Sequence, residues 1–464
     1  MTDRHRALVV GAGIAGLLAA RVLADAYTEV EVLEQDTLPD RPAQRPGVPQ
    51  GHHVHGLTAR GAEVMEDLFP GLRAELTAAG APGGDFGQIV AFRFPDCWSP
   101  RTPTGIPLQT FSRPLLEAHL RRRVTALGNV RIRPGVRVTA LAGGARRVTG
   151  VLVRETPGGD TPGGDRPGGD RPVDADLVVV ADGRSSHLPQ WLTGLGLPQP
   201  RRTVIDARVG YASRLYTTGD ADGPPWAAAM ELLQAPHVHR GFMATRIEGD
   251  RLLVTLQGAA GDHPPHDPDG FTAFARSLRT PLAELLTGLD PLTPVRRYAH
   301  CTDQRTHYHR LPHWPDGLLA LGDAVCAFNP LYGQGMGIAA MAADLLRTAL
   351  TRPDTPGSAQ AYQRRLAHLT RRPWLMSTLQ DRGWQQPRPD RAARLVAAVL
   401  PPVQRAMAAE PEVFRRFLEA MHMTRSSTVL LHPRALLPVL SAALHPTHPA
   451  PPDHPHLWWG HTPS

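Results

Sequence analysis

No lysine occurs anywhere in the 464 residues; every one of the 50 Lys-plus-Arg positions is arginine. That absence excludes a Schiff-base lysine and a P-loop lysine on a nucleotide phosphate, since each needs an amine that deprotonates or a compact ammonium. Cysteine is nearly as scarce. Cys97, Cys301 and Cys326 are odd in number and lack CxxC spacing, so neither a disulfide framework nor a thiolate zinc site is indicated, and a cytoplasmic location is expected. No uncharged apolar run reaches the roughly 18 residues that would suggest a membrane span. The start, Met1 to Arg6, leads into Ala7–Val10 without the apolar core of a signal peptide. Clustered positive charge is missing too: the net charge is +7, but arginines are dispersed among acids and only Arg121, Arg122 and Arg123 form a run of three, which argues against nucleic acid.

Glycine and proline are abundant instead, 44 and 47 residues, about a fifth of the chain where about 12% is usual. Many stiff loops are expected. With 42% hydrophobic residues the chain can bury a large core and has room for about three units of roughly 150 residues. Ala7–Val10 reads as a buried strand, Ile14–Asp25 as a helix and Val30–Leu33 as a second strand, one βαβ unit. Residues Leu38 to Gly56 carry four prolines and read as irregular loop. A helix from Pro114 to Leu127 is capped by Ser112. Further strands are expected at Val130–Ile132, Val136–Leu141, Val148–Arg154, Leu177–Val180 and Leu318–Leu321, with a long helix at Gly335–Leu350.

Between two of these strands, Pro157 to Pro172 reads PGGDTPGGDRPGGDRP. Its spaced Asp160, Asp165 and Asp170 are conceivable calcium ligands, but glycine-rich repeats are ordinarily connectors, and an elongated hairpin loop is expected. Residues 204–297 fit an inserted sheet, Ser358–Leu440 a helical region with proline breaks, and the His- and Pro-rich tail from His445 a loose end.

Gly11, Gly13 and Gly16 form GxGxxG directly after the first strand, and Glu34 closes the second. Glycines there permit a tight turn and close approach of a pyrophosphate to the helix N-terminus, while the carboxylate accepts ribose hydroxyls. The pattern indicates NAD or FAD; a glycine-tightened turn is the plain alternative. Two later stretches matter with it: LVVVADGR at Leu177–Arg184, a strand ending in Asp-Gly, and LLALGDAVCAFNPLYGQGMG at Leu318–Gly337, a strand ending in Gly-Asp before a loop and helix.

In this order and separation the three stretches resemble the FAD-dependent monooxygenases of the aromatic-hydroxylase fold, over residues 1 to about 350. The resemblance implies an α/β fold: a Rossmann-like FAD-binding domain, an inserted mixed β-sheet substrate domain and a C-terminal helical region. The expected parts are 1–80, 111–192 and 301–350 for FAD, 81–110 and 193–300 for substrate, and 351–464 for the helices. It assigns Gly11, Gly13, Ala15, Gly16 and Glu34 to the ADP half, Arg113, Asp323, Gly335 and Met336 to the flavin, and Asp182 to flavin and nicotinamide. Asp182 and Asp323 as turn formers, and Arg113 as a surface cation, are the ordinary readings. Arg45 is a further candidate flavin neighbour. Pro330, Gly333 and Gly335, with Gly337, are candidates for the flavin edge, where backbone N–H groups at a helix start would stabilise charge on the pyrimidine ring; glycine-cushioned helix packing is the alternative.

The strings RPGVPQGHHVHGL, ADGRSSHLPQWL, DARVGYASRLY and GDAVCAFNPLYGQGM look like actinobacterial flavoprotein epoxidases of polyether polyketide biosynthesis. This implies oxygen transfer from O₂ through a flavin C4a-hydroperoxide to an alkene of a polyketide or other hydrophobic metabolite. Aromatic hydroxylation and reduction of unsaturated bonds are alternatives. A flavin-dependent halogenase shares the fold, but that family uses a lysine. Where the general hydroxylase pattern has an arginine seven residues after the Asp of Asp-Gly, this chain has Pro189, and no second strand-anchored GxGxxG is found, so NAD(P)H would dock transiently or a partner flavin reductase would supply electrons. His52, His53 and His55 could on paper bind a metal or attach a flavin, but loop histidines ordinarily hydrogen-bond, and no metal is expected. Trp226, Met230 and Phe242 are candidate substrate-pocket liners or core residues, and Val429–Leu440 either packs on the body or meets a membrane or greasy substrate.

Overall fold

The computed structural model describes residues 4–95, 97–155, 169–218, 224–351, 357–384 and 391–445. Five short segments, too brief for core helices, become parallel strands. The five-stranded sheet runs Leu318–Ala320, Leu177–Val180, Arg6–Val10, Glu29–Leu33, Val130–Arg133, every pair parallel. Ala7–Val10 and Leu177–Val180 are buried throughout, as strands covered on both faces must be. The covering helices include Ile14–Ala24, Arg113–Thr125 and Gly335–Leu350. Ser112 caps the second of these, its hydroxyl accepting from Leu115 N–H at 3.2 Å, with Pro114 in the first turn.

A second sheet of six strands is built from the middle of the chain in the order Arg296–Tyr298, Gly210–Thr217, Arg251–Gly258, Arg240–Ile247, Ala228–Glu231, Val90–Arg93. All its pairs are antiparallel except the last, so it is mixed. The helices Pro268–Arg276 and Leu282–Thr287 cover it, and their contact buries Trp226, Phe242, Phe271 and Leu282. Each sheet packs on its own apolar core, with smaller clusters beside them. A meander of Val136–Gly144, Arg147–Glu155 and Arg171–Asp174 flanks the parallel sheet. The last two strands pair antiparallel on either side of the Pro/Gly/Asp repeat, most of which lies outside the described residues.

Beyond residue 357 the described residues are mainly helical: Ser358–Leu369, Arg371–Arg382, Arg391–Ala409, Pro411–Met421 and Pro433–Leu444. The prolines mark helix starts at 411 and 433, but Pro401 and Pro402 sit inside a helix rather than breaking it. Of the final helix, Ala435 is buried and Val439 packs on a core, while Leu436, Leu437, Leu440 and Leu444 are exposed. The tail after 445 lies outside the described residues. The loop 38–56, expected to be irregular throughout, contains one 3₁₀ turn, Pro49–His52. All three cysteines are buried and none forms a disulfide. Among the described residues no helix is long and apolar enough to cross a membrane.

Candidate functional site

The carboxyl ends of three parallel strands, at Val10, Val180 and Ala320, open on one cavity of about 900 Å³. Open α/β sheets bind ligands at this edge, because side chains and helix starts converge there. Gly11 has φ +100°, and a Cβ on it would stand 2.7 Å from the Ala181 carbonyl oxygen, so only glycine lets these two strands' loops approach. Gly11, Gly13 and Ala15 line the cavity. Gly16 is not among the lining residues: a Cβ there would strike the Gly11 carbonyl, so this glycine serves helix-on-strand packing. The helix Ile14–Ala24 starts without a side-chain cap, leaving amide donors and the positive end of its dipole toward the cavity.

Glu34 is 5% exposed; its Oε2 accepts the Ala12 N–H at 2.8 Å and its Oε1 the Asp36 N–H at 3.0 Å. Arg45 reaches across from the loop to three carboxylates, Glu117 at 2.6 Å, Asp36 at 2.9 Å and Glu34 at 3.2 Å. Burial alone would lower the pKa of this guanidinium, but the charges of Glu117 and Glu34 outweigh it and hold the value above the ordinary one. Arg113 also lines the cavity. Its Nε is buried without a hydrogen-bond partner, and burial lowers its pKa despite Glu117 and Asp323.

His53 and His55 line the cavity and His52 does not. His55 Nδ1–H donates to the His53 carbonyl at 2.9 Å, which turns its Nε2 toward Arg113 NH1 at 3.5 Å; burial, with Arg113, pushes its pKa down to about 3. His53 Nδ1 lies 2.7 Å from Ser213 Oγ, which lies 2.6 Å from Thr255 Oγ1, itself the acceptor of the Val54 N–H at 2.9 Å. Only one orientation gives every hydroxyl proton an acceptor: Thr255 donates to Ser213, and Ser213 to His53 Nδ1. Burial pushes His53 down to about 4, so the ring is neutral and carries its proton on Nε2. Among the described residues no three His, Cys, Asp or Glu side chains converge as a metal-binding group.

Asp182 and Asp323 both line the cavity. Asp182 Oδ2 accepts the His187 N–H at 3.3 Å, Oδ1 is buried without a partner, and burial raises the carboxyl pKa. Burial raises Asp323 as well, against Arg184 and Arg113. Arg184 received no role from the sequence, although it ends the Asp-Gly string. It donates to the carbonyls of Thr302 at 2.5 Å and Phe328 at 2.6 Å, tying the second strand's loop to the third's.

Pro330, Gly333, Gly335 and Met336 line the cavity where the helix Gly335–Leu350 begins, again without a side-chain cap. Gly333 has φ +62°, and Gln334 Oε1 is buried with no partner. Gly337, grouped with these glycines in the sequence, does something else. A Cβ on it would fall on Thr58 Oγ1, and one on Gly61 would stand 2.5 Å from the Gly337 Cα, so Gly337 lets the helices Ala59–Leu68 and Gly335–Leu350 touch. The opposite wall is aromatic: the His53 ring centroid lies 6.1 Å from that of Tyr211 and 5.3 Å from that of Tyr298. Trp226, Met230 and Phe242 do not line the cavity. Trp226 and Phe242 are 1% and 0% exposed in the core beneath the six-stranded sheet: Phe242 because strand alternation turns it to the face opposite Ser213 and Thr255, and Trp226 because the bend before Ala228 tucks it under that face. Met230 is on the Ser213 and Thr255 face but at the far side of the sheet, where it packs on a neighbouring core.

A sequence profile described as FAD binding domain matches residues 4–363. Protein Rv3254 of Mycobacterium tuberculosis is 35% identical over 397 residues, 82% of this chain and 80% of that one. A kynurenine 3-monooxygenase of Salinispora tropica is 30% identical over 378 residues, 78% of this chain and 76% of its own. Among solved structures, a flavoprotein/dehydrogenase from Cytophaga hutchinsonii superposes with a TM-score of 0.66 at 14% identity, covering 95% of this chain and 98% of the other.

Proposed function

Since this chain belongs to the FAD binding domain family, with kynurenine 3-monooxygenases among its relatives, we propose that it is an FAD-dependent monooxygenase acting on a hydrophobic unsaturated small molecule. The observation that carries the reading is the convergence of three distant strand ends on one elongated cavity, with two uncapped helix starts facing it. The residues present fit FAD. A dinucleotide phosphate would satisfy the free amides near Gly13, and Asp182 Oδ1 and Gln334 Oε1, buried without a hydrogen-bond partner, and Arg113 Nε, 3.7 Å from Glu117 Oε2, would meet polar groups of the bound cofactor. The cavity volume is at the upper end of the range for cofactor sites.

When bound and reduced, FAD would supply the electrons that split O₂, one oxygen atom going to the substrate and the other to water. The chain's own part is binding, orientation and exclusion of water. Glu34 would take ribose hydroxyls, with Arg45, which is bound to it, beside the same half rather than the flavin; Gly11, Gly13 and Ala15 would take the pyrophosphate, and Asp182, Asp323 and Arg113 the neighbourhood of the flavin. Amides from Gly333 to Met336 would stabilise negative charge at its pyrimidine edge. On the substrate side, His53 offers a single N–H from a neutral ring, framed by Tyr211 and Tyr298. The parallel sheet would then serve FAD and the six-stranded sheet the substrate, along the boundaries read from the sequence.

The finer reading is epoxidation of an alkene in a polyketide or similar metabolite. It rests on the four motif strings and on an aromatic wall holding neutral donors rather than a charged acid–base pair. The kynurenine 3-monooxygenase relative favours ring hydroxylation as the second reading. Pro189, at the start of the helix Leu188–Gly194, leaves the nicotinamide dock unmarked, so the electron donor is NAD(P)H or a flavin reductase. The test is to incubate the purified yellow protein with NADH, a flavin reductase, ¹⁸O₂ and a panel of polyenes and phenols. Gain of one labelled oxygen is expected. A colourless protein that stays so with FAD, or turnover that proceeds equally without O₂, refutes the reading.

A further inference from the structure

Behind the loop carrying Pro330 and Gly333 lies a sealed polar cluster. Asp303, Asn329, Ser377 and Asp381 are all 0% exposed, and they come from the strand Asp303–Thr306, the loop itself and the helix Arg371–Arg382. Ser377 and Asp381 lie beyond the residues matched by the family profile. Asp303 Oδ1 accepts the Asn329 backbone N–H at 2.9 Å and the Ser377 hydroxyl at 2.7 Å. Asp381 Oδ2 accepts from Asn329 Nδ2 at 2.8 Å, and its Oδ1 from the Tyr332 hydroxyl at 2.6 Å. Asn329 Oδ1 in turn accepts the Leu331 N–H at 3.2 Å. Every one of these bonds except that of Ser377 therefore ends on the turn that leads into Gly333. One atom is left over: Asp303 Oδ2 is buried and has no donor. The cation acting on Asp303 is Arg184, whose guanidinium is bound to two carbonyls. Two neighbouring buried carboxylates cannot both ionise with so little compensation.

We propose that Asp303 and Asp381 share a single proton and clamp the Asn329–Gly333 turn in the shape that aims the amides of Gly333 to Met336 at FAD, so that this pair governs how firmly the flavin is held. The inference rests on the FAD reading of the cavity. Burial and the charge of Asp303 push Asp381 up to about 8, with Tyr332 and Asn329 opposing, and burial raises Asp303 too. The other titratable groups facing the pair, Tyr211, Tyr332, Cys301 and Cys326, are all pushed upward by burial and stay neutral below pH 9. In an unfolded chain an aspartate gives up its proton near pH 4. The clamped state keeps one until about pH 8, so between those values it binds more protons than the open state. The clamp is strongest in acid, weakens by up to about tenfold per pH unit as pH rises, and levels off above about 8.

Asp303→Asn tests this by removing the shared proton while keeping the bonds that reach the turn. Its Oδ1 still accepts from Asn329 and Ser377, and an N–H donor takes the place of the partnerless Oδ2. Two quantities are measured from pH 6 to 9: the rate of FAD release from the holoprotein, followed by flavin fluorescence on dilution, and the thermal midpoint of the protein stripped of FAD. In the parent, release quickens several-fold between pH 6.5 and 8 and then levels, and the thermal midpoint falls relative to Asp303→Asn; in the variant Asp381 is raised by burial alone, so the quickening is smaller and levels at lower pH. Curves that track each other in both measurements overturn the proposal. Tyr332→Phe removes a donor from Asp381, so the pair holds its proton longer and the levelling point moves to higher pH; an unmoved or lowered point also overturns it, and decides alone should Asp303→Asn not fold. A protein that takes up no FAD at any pH sinks the FAD reading, while the thermal comparison still decides whether the pair shares a proton.

Discussion

Replacing Arg45 by methionine keeps the length of its apolar stem and removes all five N–H donors. Glu34 and Glu117 are each 5% exposed, and the Asp36 side chain 10%, so three carboxylates lose their common cation in a site that water scarcely reaches. Breaking a buried ionic cluster from one side costs about 3–5 kcal/mol, against about 0–1 for an exposed pair. Backbone N–H groups of Ala12, Asp36 and Gly47 continue to bind Glu34 and Asp36, which places the expected loss near the lower end, about 3 kcal/mol. Arg45→Lys should fall between, about 1–2 kcal/mol, because one ammonium cannot occupy both the Nε position on Glu117 and the NH1 position on Asp36. Urea unfolding of FAD-free protein, followed by tryptophan fluorescence, measures both. Adding Glu117→Gln to Arg45→Met relieves one stranded charge, so the double variant should lose less than the sum of the singles by at least about 1 kcal/mol. A loss below about 1 kcal/mol for Arg45→Met, or strict additivity, would refute the claim that Arg45 anchors this loop through charge.

Two further outcomes follow from particular positions. Gly337→Ala should cost about 1–3 kcal/mol of stability by pushing two helices apart while leaving the spectrum of bound flavin unchanged. Gly335→Val, where the nearest atom to a new Cβ is 3.9 Å away, should leave the thermal midpoint in place and weaken FAD binding at least about tenfold by filling the cavity; flavin titration and thermal scans that give the reverse pattern reject the division between these glycines. Burial pushes both His53 and His422 down to about 4, so the folded state refuses protons that the unfolded chain takes up below pH 6.5. Stability should be intact above that pH and fall toward pH 4, by up to about 3 kcal/mol per histidine. His422→Gln, which keeps an acceptor for the Ala59 N–H, should flatten that acid limb, and thermal midpoints from pH 4 to 7 that leave the limb as steep as before would count against it.

The parallel sheet was legible because each of its parts is local. GxGxxG between a strand and a helix, an acid closing the next strand, and Ser112 before Pro114 all state their geometry within a few residues of themselves. Gly337 was misplaced for the converse reason. It shares a string with Gly333 and Gly335, but one helical step turns it from the cavity to Thr58, and nothing in the string names Thr58. Phe242 was a candidate for the pocket because it is aromatic in the inserted sheet, and only strand pairing decides which face it takes; Trp226 sits in the bend before a strand, where the sequence shows no face at all. Arg184 stood in plain view at the end of LVVVADGR, yet its partners are carbonyls, which no sequence pattern marks. Asp303, Ser377 and Asp381 were invisible altogether: the cluster joins three segments up to 78 residues apart through Asn329, and a buried acid reads like an exposed one until its neighbours are known.

The loop from Arg45 to Gly56 explains how two sheets with separate cores keep one site in register. At one end Arg45 binds Glu34, which follows a strand of the parallel sheet, and Glu117, on a helix covering it. Eight residues later His53 binds Ser213 and, through it, Thr255, both on adjacent strands of the six-stranded sheet. A proline-rich segment suits this task, since fixed φ angles lower the entropy lost on ordering it between two anchors. The charged anchor is strong and directional, while the neutral hydroxyl–imidazole anchor is weaker by a factor of two or so per bond. Any relative movement of the two sheets would therefore be taken up first at His53, which lines the cavity, while the loop stays fastened beside Glu34.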